Sequence, residues 1–213
     1  MSDVLKKTYE IQATTIVKAL EKRNMKGYYC PDCASAVKQA EELLFDGALV
    51  AYGGSVSLSE CGILNMLQGR TNIRLLDRSK AMTSEEKDKS YHDALNSDVY
   101  FMSSNAITLD GQLVNIDGRG NRVAALIYGP GRVVLVVGMN KVVTTVEDGI
   151  RRVHNIATPA NCLRLDLKTP CAATGACHDC LSPDCICNQV VITRRNGTAE
   201  RIHVILVGEA LGY

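Results

Sequence analysis

The sequence predicts an α/β fold in which a largely parallel sheet is covered by helices on both faces. Two observations carry that expectation. Short apolar, β-rich runs recur at 48 to 54, 73 to 78, 98 to 104 and 132 to 138, and stretches of helical period separate several of them. The chain of 213 residues is long enough to bury a sizeable core without covalent staples, so a single domain over 1 to 213 is expected.

In chain order, Leu5, Tyr9, Ile16, Val17 and Leu20 fall at helical spacing, and "NMKG" at 24 to 27 supplies a glycine stop, so residues 4 to 23 read as an amphipathic helix. A short apolar "GYYC" follows. Ala36, Val37, Ala40, Leu43 and Leu44 then place a second helix at 32 to 45, completing an N-terminal helical region over 1 to 45. Further helices are expected at 59 to 68, 84 to 95, 120 to 128 and 145 to 157. "TLDGQLVNIDG" (108 to 118) reads as an inserted hairpin with Asp110-Gly111 at its turn. The last segment, 189 to 213, reads as a C-terminal β-hairpin joined across Asn196-Gly197.

Composition narrows the function. Lys plus Arg (24) nearly balances Asp plus Glu (23), so no whole-molecule field draws the protein to nucleic acid or an anionic membrane. No continuous apolar stretch has the length of a span or a secretory signal, and a cytoplasmic location is expected. In a reducing compartment nine cysteines do not make a disulfide framework, which moves metal binding and redox chemistry forward.

Five of the nine lie in "PCAATGACHDCLSPDCICN", within a loop at 169 to 188. A Cys-x-x-Cys pair brings two thiolates to one metal from a tight turn, and the flanking cysteines then close the shell. Sulfur ligands in this number select zinc or an iron–sulfur cluster, and the spacing does not choose between them. Cys185 and Cys187 alternate along the chain, so one of the two is expected to ligate. The expected set is Cys171, Cys177, Cys180 and Cys187, with His178 in reserve. The plain alternative is a loop of free, reduced thiols. A second pair, Cys30 and Cys33, opens a helix, where the N-terminus favours a thiolate. Two small semi-buried residues after Pro31 explain that pair as well, and this simpler reading is preferred.

Gly53, Gly54, Ser55 and Ser57 close a strand and open a helix, a place where free backbone N–H groups accept a phosphate or carboxylate. A tight turn with Ser57 or Ser59 as N-cap accounts for the same residues. Asp117, Arg119, Asn121 and Arg122 surround two further glycines, and Asn140 and Lys141 follow another strand. In an open parallel sheet the carboxyl ends of strands form the ligand crevice, so the groups after 52, 104 and 138, including Ser103, Ser104 and Asn105, are expected to converge on a polar pocket of cationic character. Glu60 and Asp117 are the available carboxylates. His92, His154 and His203 are isolated and read as surface or packing residues.

"AYGGSVSLSECGIL", "MSSNAITLDGQLVNIDGRGNRVAALIYGPGRVVLVVGMNKVV", "NIATPANCLRL" and "RIHVILVGEALGY" closely resemble the LUD (lactate-utilisation) domain proteins, and the Cys-rich loop resembles that of one branch of the family. The resemblance implies a Rossmann-like sheet of the kind found in coenzyme A transferases and ribose-5-phosphate isomerase A. It also implies a role beside iron–sulfur partner proteins in oxidising L-lactate to pyruvate. Carried over residue by residue, the pocket is Gly53, Gly54, Ser55, Ser104, Asn105, Gly118, Asn121, Asn140 and Lys141. "SECGI" is similar to the motif bearing the catalytic glutamate of coenzyme A transferases, but a strand that intervenes in those enzymes is missing before it, so no catalytic residue is assigned.

Three functions follow as expectations: a redox accessory or subunit in lactate oxidation with a Cys-bound centre, an enzyme binding a sugar phosphate, acyl-coenzyme A or small carboxylate, and a dithiol regulator acting through Cys30 and Cys33. The expected partners are a small anionic ligand and iron–sulfur proteins, with no nucleic acid and no membrane. Apolar strand edges also leave a homo-oligomer open.

Overall fold

The computed structural model describes all residues from 1 to 213. Its strands are β1 (Lys26–Cys30), β2 (Leu49–Tyr52), β3 (Arg74–Leu76), β4 (Val99–Met102), β5 (Ala106–Thr108), β6 (Leu113–Asp117), β7 (Arg132–Gly138), β8 (Val142–Val143), β9 (Gln189–Thr193) and β10 (Ile202–Val207). The helices are α1 (Asp3–Lys22), α2 (Cys33–Glu42), α3 (Val56–Glu60), α4 (Ile63–Gly69), α5 (Ser84–Ala94), α6 (Asn121–Ile127), α7 (Val146–Arg152), α8 (Thr158–Arg164) and α9 (Pro170–Thr174).

The central strands are apolar on both faces, so both faces must be covered. β7 sends Val133, Leu135 and Val137 into one cluster and Val134 and Val136 into the other. The first cluster is closed by Ile16 and Leu20 of α1, Ala94 of α5 and Leu126 of α6; the second by Ala36 and Ala40 of α2, Leu58 of α3 and Leu67 of α4. The resulting six-stranded sheet has the order β1-β10-β7-β4-β2-β3, with every pair parallel. The expected Rossmann-like α/β architecture is therefore present. No helix is long and apolar enough to cross a membrane.

A second sheet, β8-β5-β6-β9, sits beside the first. β5 and β6 form the expected antiparallel hairpin, and Gly111 at φ 83° makes its turn. The expected C-terminal hairpin is corrected by the structure. β9 pairs antiparallel with β6 in the small sheet, whereas β10 lies between β1 and β7 in the large one. Neither Asn196 nor Gly197 takes the positive φ that a tight hairpin turn requires. Asn196 N–H instead donates to the carbonyl of Arg23 at 2.9 Å, tying the connection to the end of α1.

Two helical expectations are also refined. The 59 to 68 segment divides into α3 and α4 at Gly62, whose φ is 84°, and Ser55, not Ser57 or Ser59, caps α3 by accepting from Leu58 N–H at 3.3 Å. The 145 to 157 helix continues into α8 through one π turn at Val153–Ala157. Wider turns of this kind shift the helix face, and here Val153, Ala157, Asn161 and Leu165 all line the same cleft.

Candidate functional site

The chain leaves β2 toward one edge of the sheet and leaves β4 toward the other, so a crevice opens beyond their carboxyl ends. It is a cleft of about 540 Å³. Gly54, Ser55 and Ser57 follow β2, Arg78 follows β3, Ser103, Ser104 and Asn105 follow β4, and Lys141 follows β7. The small sheet and α6 add Asp117, Gly118, Arg119, Asn121 and Arg122, while the closing wall holds Arg164, Ile186, Gly212 and Tyr213. Seven of the nine family-derived ligand residues line the cleft: Gly54, Ser55, Ser104, Asn105, Gly118, Asn121 and Lys141.

The other two shape it from behind. A Cβ on Gly53 would stand 2.9 Å from the Tyr100 hydroxyl, so the glycine lets the loop lie against β4. The Asn140 amide donates to the Gly212 carbonyl at 3.3 Å and accepts from Leu211 N–H at 3.1 Å, which fastens the 209 to 213 segment over the cleft. Glu60 has a similar task, since its carboxylate accepts from Gly212 N–H at 2.6 Å. It does not line the cleft.

Lys141 is only 4% exposed and has no ion-pair partner; its Nζ donates to Ser57 Oγ at 2.7 Å and Ser103 Oγ at 3.3 Å. Burial, reinforced by the Arg152 and Arg122 charges and opposed by Glu60, brings its pKa down to about 7. Arg122 is a frame residue. Its guanidinium donates to the carbonyls of Ser103 and Ile116 at 3.0 Å each, to Asn115 Oδ1 at 2.6 Å and to Asn105 Oδ1 at 2.9 Å, and lies 3.6 Å from Asp117. Arg78 is freer. It rests 5.1 Å from the Tyr91 ring centre and donates to that hydroxyl at 3.2 Å, and a Cβ on Gly54 would come within 3.1 Å of it.

The Cys-rich loop forms part of the same wall. Gly118 packs on Ile186, and Asn188 N–H donates to the Asp117 carbonyl at 3.1 Å. The sulfurs are not arranged as a closed shell. Cys171 turns inward, 3.7 Å from the sulfur of Cys162, and Cys187 meets the Thr158 hydroxyl at 3.3 Å. Cys177 accepts from Asp179 N–H at 3.4 Å, and His178 pairs with the Thr174 hydroxyl at 2.8 Å. No three His, Cys, Asp or Glu side chains converge at ligating distance.

At the other Cys-x-x-Cys, burial pushes the Cys30 thiol up to about 11, and Cys33 is raised by burial and by its bond to Glu209 at 2.9 Å. Both shifts oppose the thiolate that a helix N-terminus favours, which was the less preferred reading of this pair. His203 is buried and stacks on Tyr28 with ring centres 5.9 Å apart, a packing role.

Arg78, Tyr91 and Arg164 were not among the residues expected to line the pocket. Arg78 obeys the strand-end rule, but β3 is only three residues long. Arg164 reaches the cleft through the helix that extends beyond the expected limit.

The LUD-domain family profile matches residues 13–207. The chain belongs to the LUD-domain family. That family is associated with lactate utilisation. No curated protein matches the chain. Among solved structures, a DUF162 family protein from Deinococcus radiodurans, determined at 1.70 Å, is similar in fold. Its TM-score is 0.54 at 13% identity, with 93% of this chain and 98% of that one covered. The likeness concerns the fold alone.

Proposed function

We propose that this LUD-domain protein binds a small carboxylate or phosphate ester in the cleft and serves lactate utilisation through that site. One observation carries the reading: Arg78, Arg119, Arg122, Lys141 and Arg164 line the cleft, and Asp117 is the sole side-chain carboxylate among its lining residues. Arg122 is consumed by the frame and holds the Ser103–Asn105 and Asp117 loops in register. Arg78, stacked on Tyr91, keeps donors for a ligand. Lys141 and the Ser57 and Ser103 hydroxyls form the floor. An anion entering this cleft gains charge-assisted hydrogen bonds where water is partly excluded.

The test is a thermal melt of the intact protein with inorganic phosphate and with oxalate. A saturable rise in melting temperature that disappears in Asn121→Ala or Arg78→Gln supports the reading; unchanged melting with both anions removes it.

A second reading keeps the redox accessory role beside iron–sulfur proteins in L-lactate oxidation. It places a zinc or iron–sulfur centre on Cys171, Cys177, Cys180 and Cys187, whose sulfurs the ion or cluster would have to draw together. What supports it is the density of soft donors, with Ile186 in the cleft wall and Cys187 against Thr158, another residue that lines the cleft. Metal and sulfide analysis of protein prepared without oxygen tests it.

A further inference from the structure

The floor of the cleft holds an amine with no carboxylate to neutralise it. Lys141 is buried, its only polar contacts are the Ser57 and Ser103 hydroxyls, and the nearest charges acting on it include the guanidinium groups of Arg152 and Arg122. Glu60 acts on it in the opposite sense, but its carboxylate is engaged by Gly212 N–H. Burial of a cation among cations favours the neutral amine, which has a free electron pair. Arg78, Arg164 and Arg119, the last also paired with Asp88 at 2.9 Å, line the same cleft and attract an acid group on the same ligand.

We propose that Lys141 is a nucleophile toward a small carbonyl compound bearing an anionic group, a 2-oxo acid being the simplest class, and that it forms an imine with it. The inference rests on the anion-binding reading of the cleft. In the step, the Lys141 nitrogen forms a bond to the carbonyl carbon, and the carbonyl oxygen takes up a proton to give a carbinolamine. Loss of that oxygen as water, with the second amine proton, leaves a carbon–nitrogen double bond. No oxidant or reductant is needed. Ser57 and Ser103, both within hydrogen-bond reach of the nitrogen, relay the protons between nitrogen and oxygen. The guanidinium groups hold the carboxylate, which orients the carbonyl toward the floor.

The experiment uses the full chain at pH 7 with pyruvate as the probe and cyanoborohydride as the trapping reductant, followed by peptide mass mapping. An imine at Lys141 is captured as a stable secondary amine. Labelling at Lys141 is expected to exceed that at any exposed lysine by about tenfold or more, because exposed amines are almost wholly protonated at this pH. Oxalate, which has no electrophilic ketone, should compete it away. Lys141→Met should lose the adduct while its circular dichroism spectrum and cooperative urea unfolding stay those of a folded chain, which separates loss of the amine from loss of the fold. Adducts spread over exposed lysines with none at Lys141 overturn the proposal. Stabilisation by phosphate without a Lys141 adduct overturns the imine chemistry alone, whereas loss of both removes the anion site as well.

Discussion

Lys141 Nζ donates to Ser57 Oγ at 2.7 Å across a sequence separation of 84 residues, joining the loop after β7 to the first turn of α3. The contact makes the floor of the cleft a single unit, and it has a pH signature. Lys141 titrates near 7 in the folded chain and near 10.5 when unfolded. Between those values the unfolded state holds a proton that the folded state has released, so stability from this group rises with pH across the window. Below about pH 7 the burial penalty is fully present. Urea unfolding at pH 6.5 through 9 should therefore show the wild type gaining up to roughly 1.4 kcal/mol per pH unit relative to Lys141→Met. Parallel curves for the two proteins would contradict the assignment.

Arg122 offers a second test. Four acceptors on two segments, 103–105 and 115–116, depend on its guanidinium, and its side chain is largely buried. Arg122→Met leaves Asn115, Asn105 and two carbonyls without that donor. The expected loss is about 3 kcal/mol or more in urea unfolding, with anion binding lost as well. A loss below about 1 kcal/mol would mean that the frame does not rest on this residue.

Gly138 tests the closing wall. An added Cβ would stand 2.5 Å from Asn140 Oδ1, 2.7 Å from Leu211 N and 2.8 Å from the Glu209 carbonyl, two of which are backbone atoms. Gly138→Ala should cost about 1 to 3 kcal/mol and speed hydrogen exchange of the amides of Leu211 and Gly212. Unchanged exchange there would show that the segment is not held by this contact.

The large sheet was legible because its strands are β-rich runs bounded by glycine, and the strand-end rule then located most of the cleft. β10 was misread for a physical reason. Asn196-Gly197 is a strong local hairpin signal, but "IHVILV" is buried on both faces, as a central parallel strand is, whereas a terminal hairpin has one polar face. Arg201 adds to this by bonding the carbonyls of Leu126, Ala125 and Pro130, which draws the strand start toward α6. The convergence of Arg78 and Arg164 was invisible because each arrives from a separate element and no spacing in the chain relates them. The sulfurs illustrate the opposite problem: dense spacing along 171 to 187 does not by itself bring them together.

For the Cys-rich loop, anaerobic preparation followed by metal and sulfide analysis should find about one centre per chain if the second reading is right, and Cys180→Ser should release it. Metal-free protein would leave the loop as a wall of the cleft only.

Calorimetric titration of the intact chain with oxalate tests the central claim most directly. One saturable site per chain is expected, weakened at least tenfold, about 1.4 kcal/mol, by Arg78→Gln. No saturable heat in the wild type, or equal affinity in the variant, would contradict an anion site built on these strand ends.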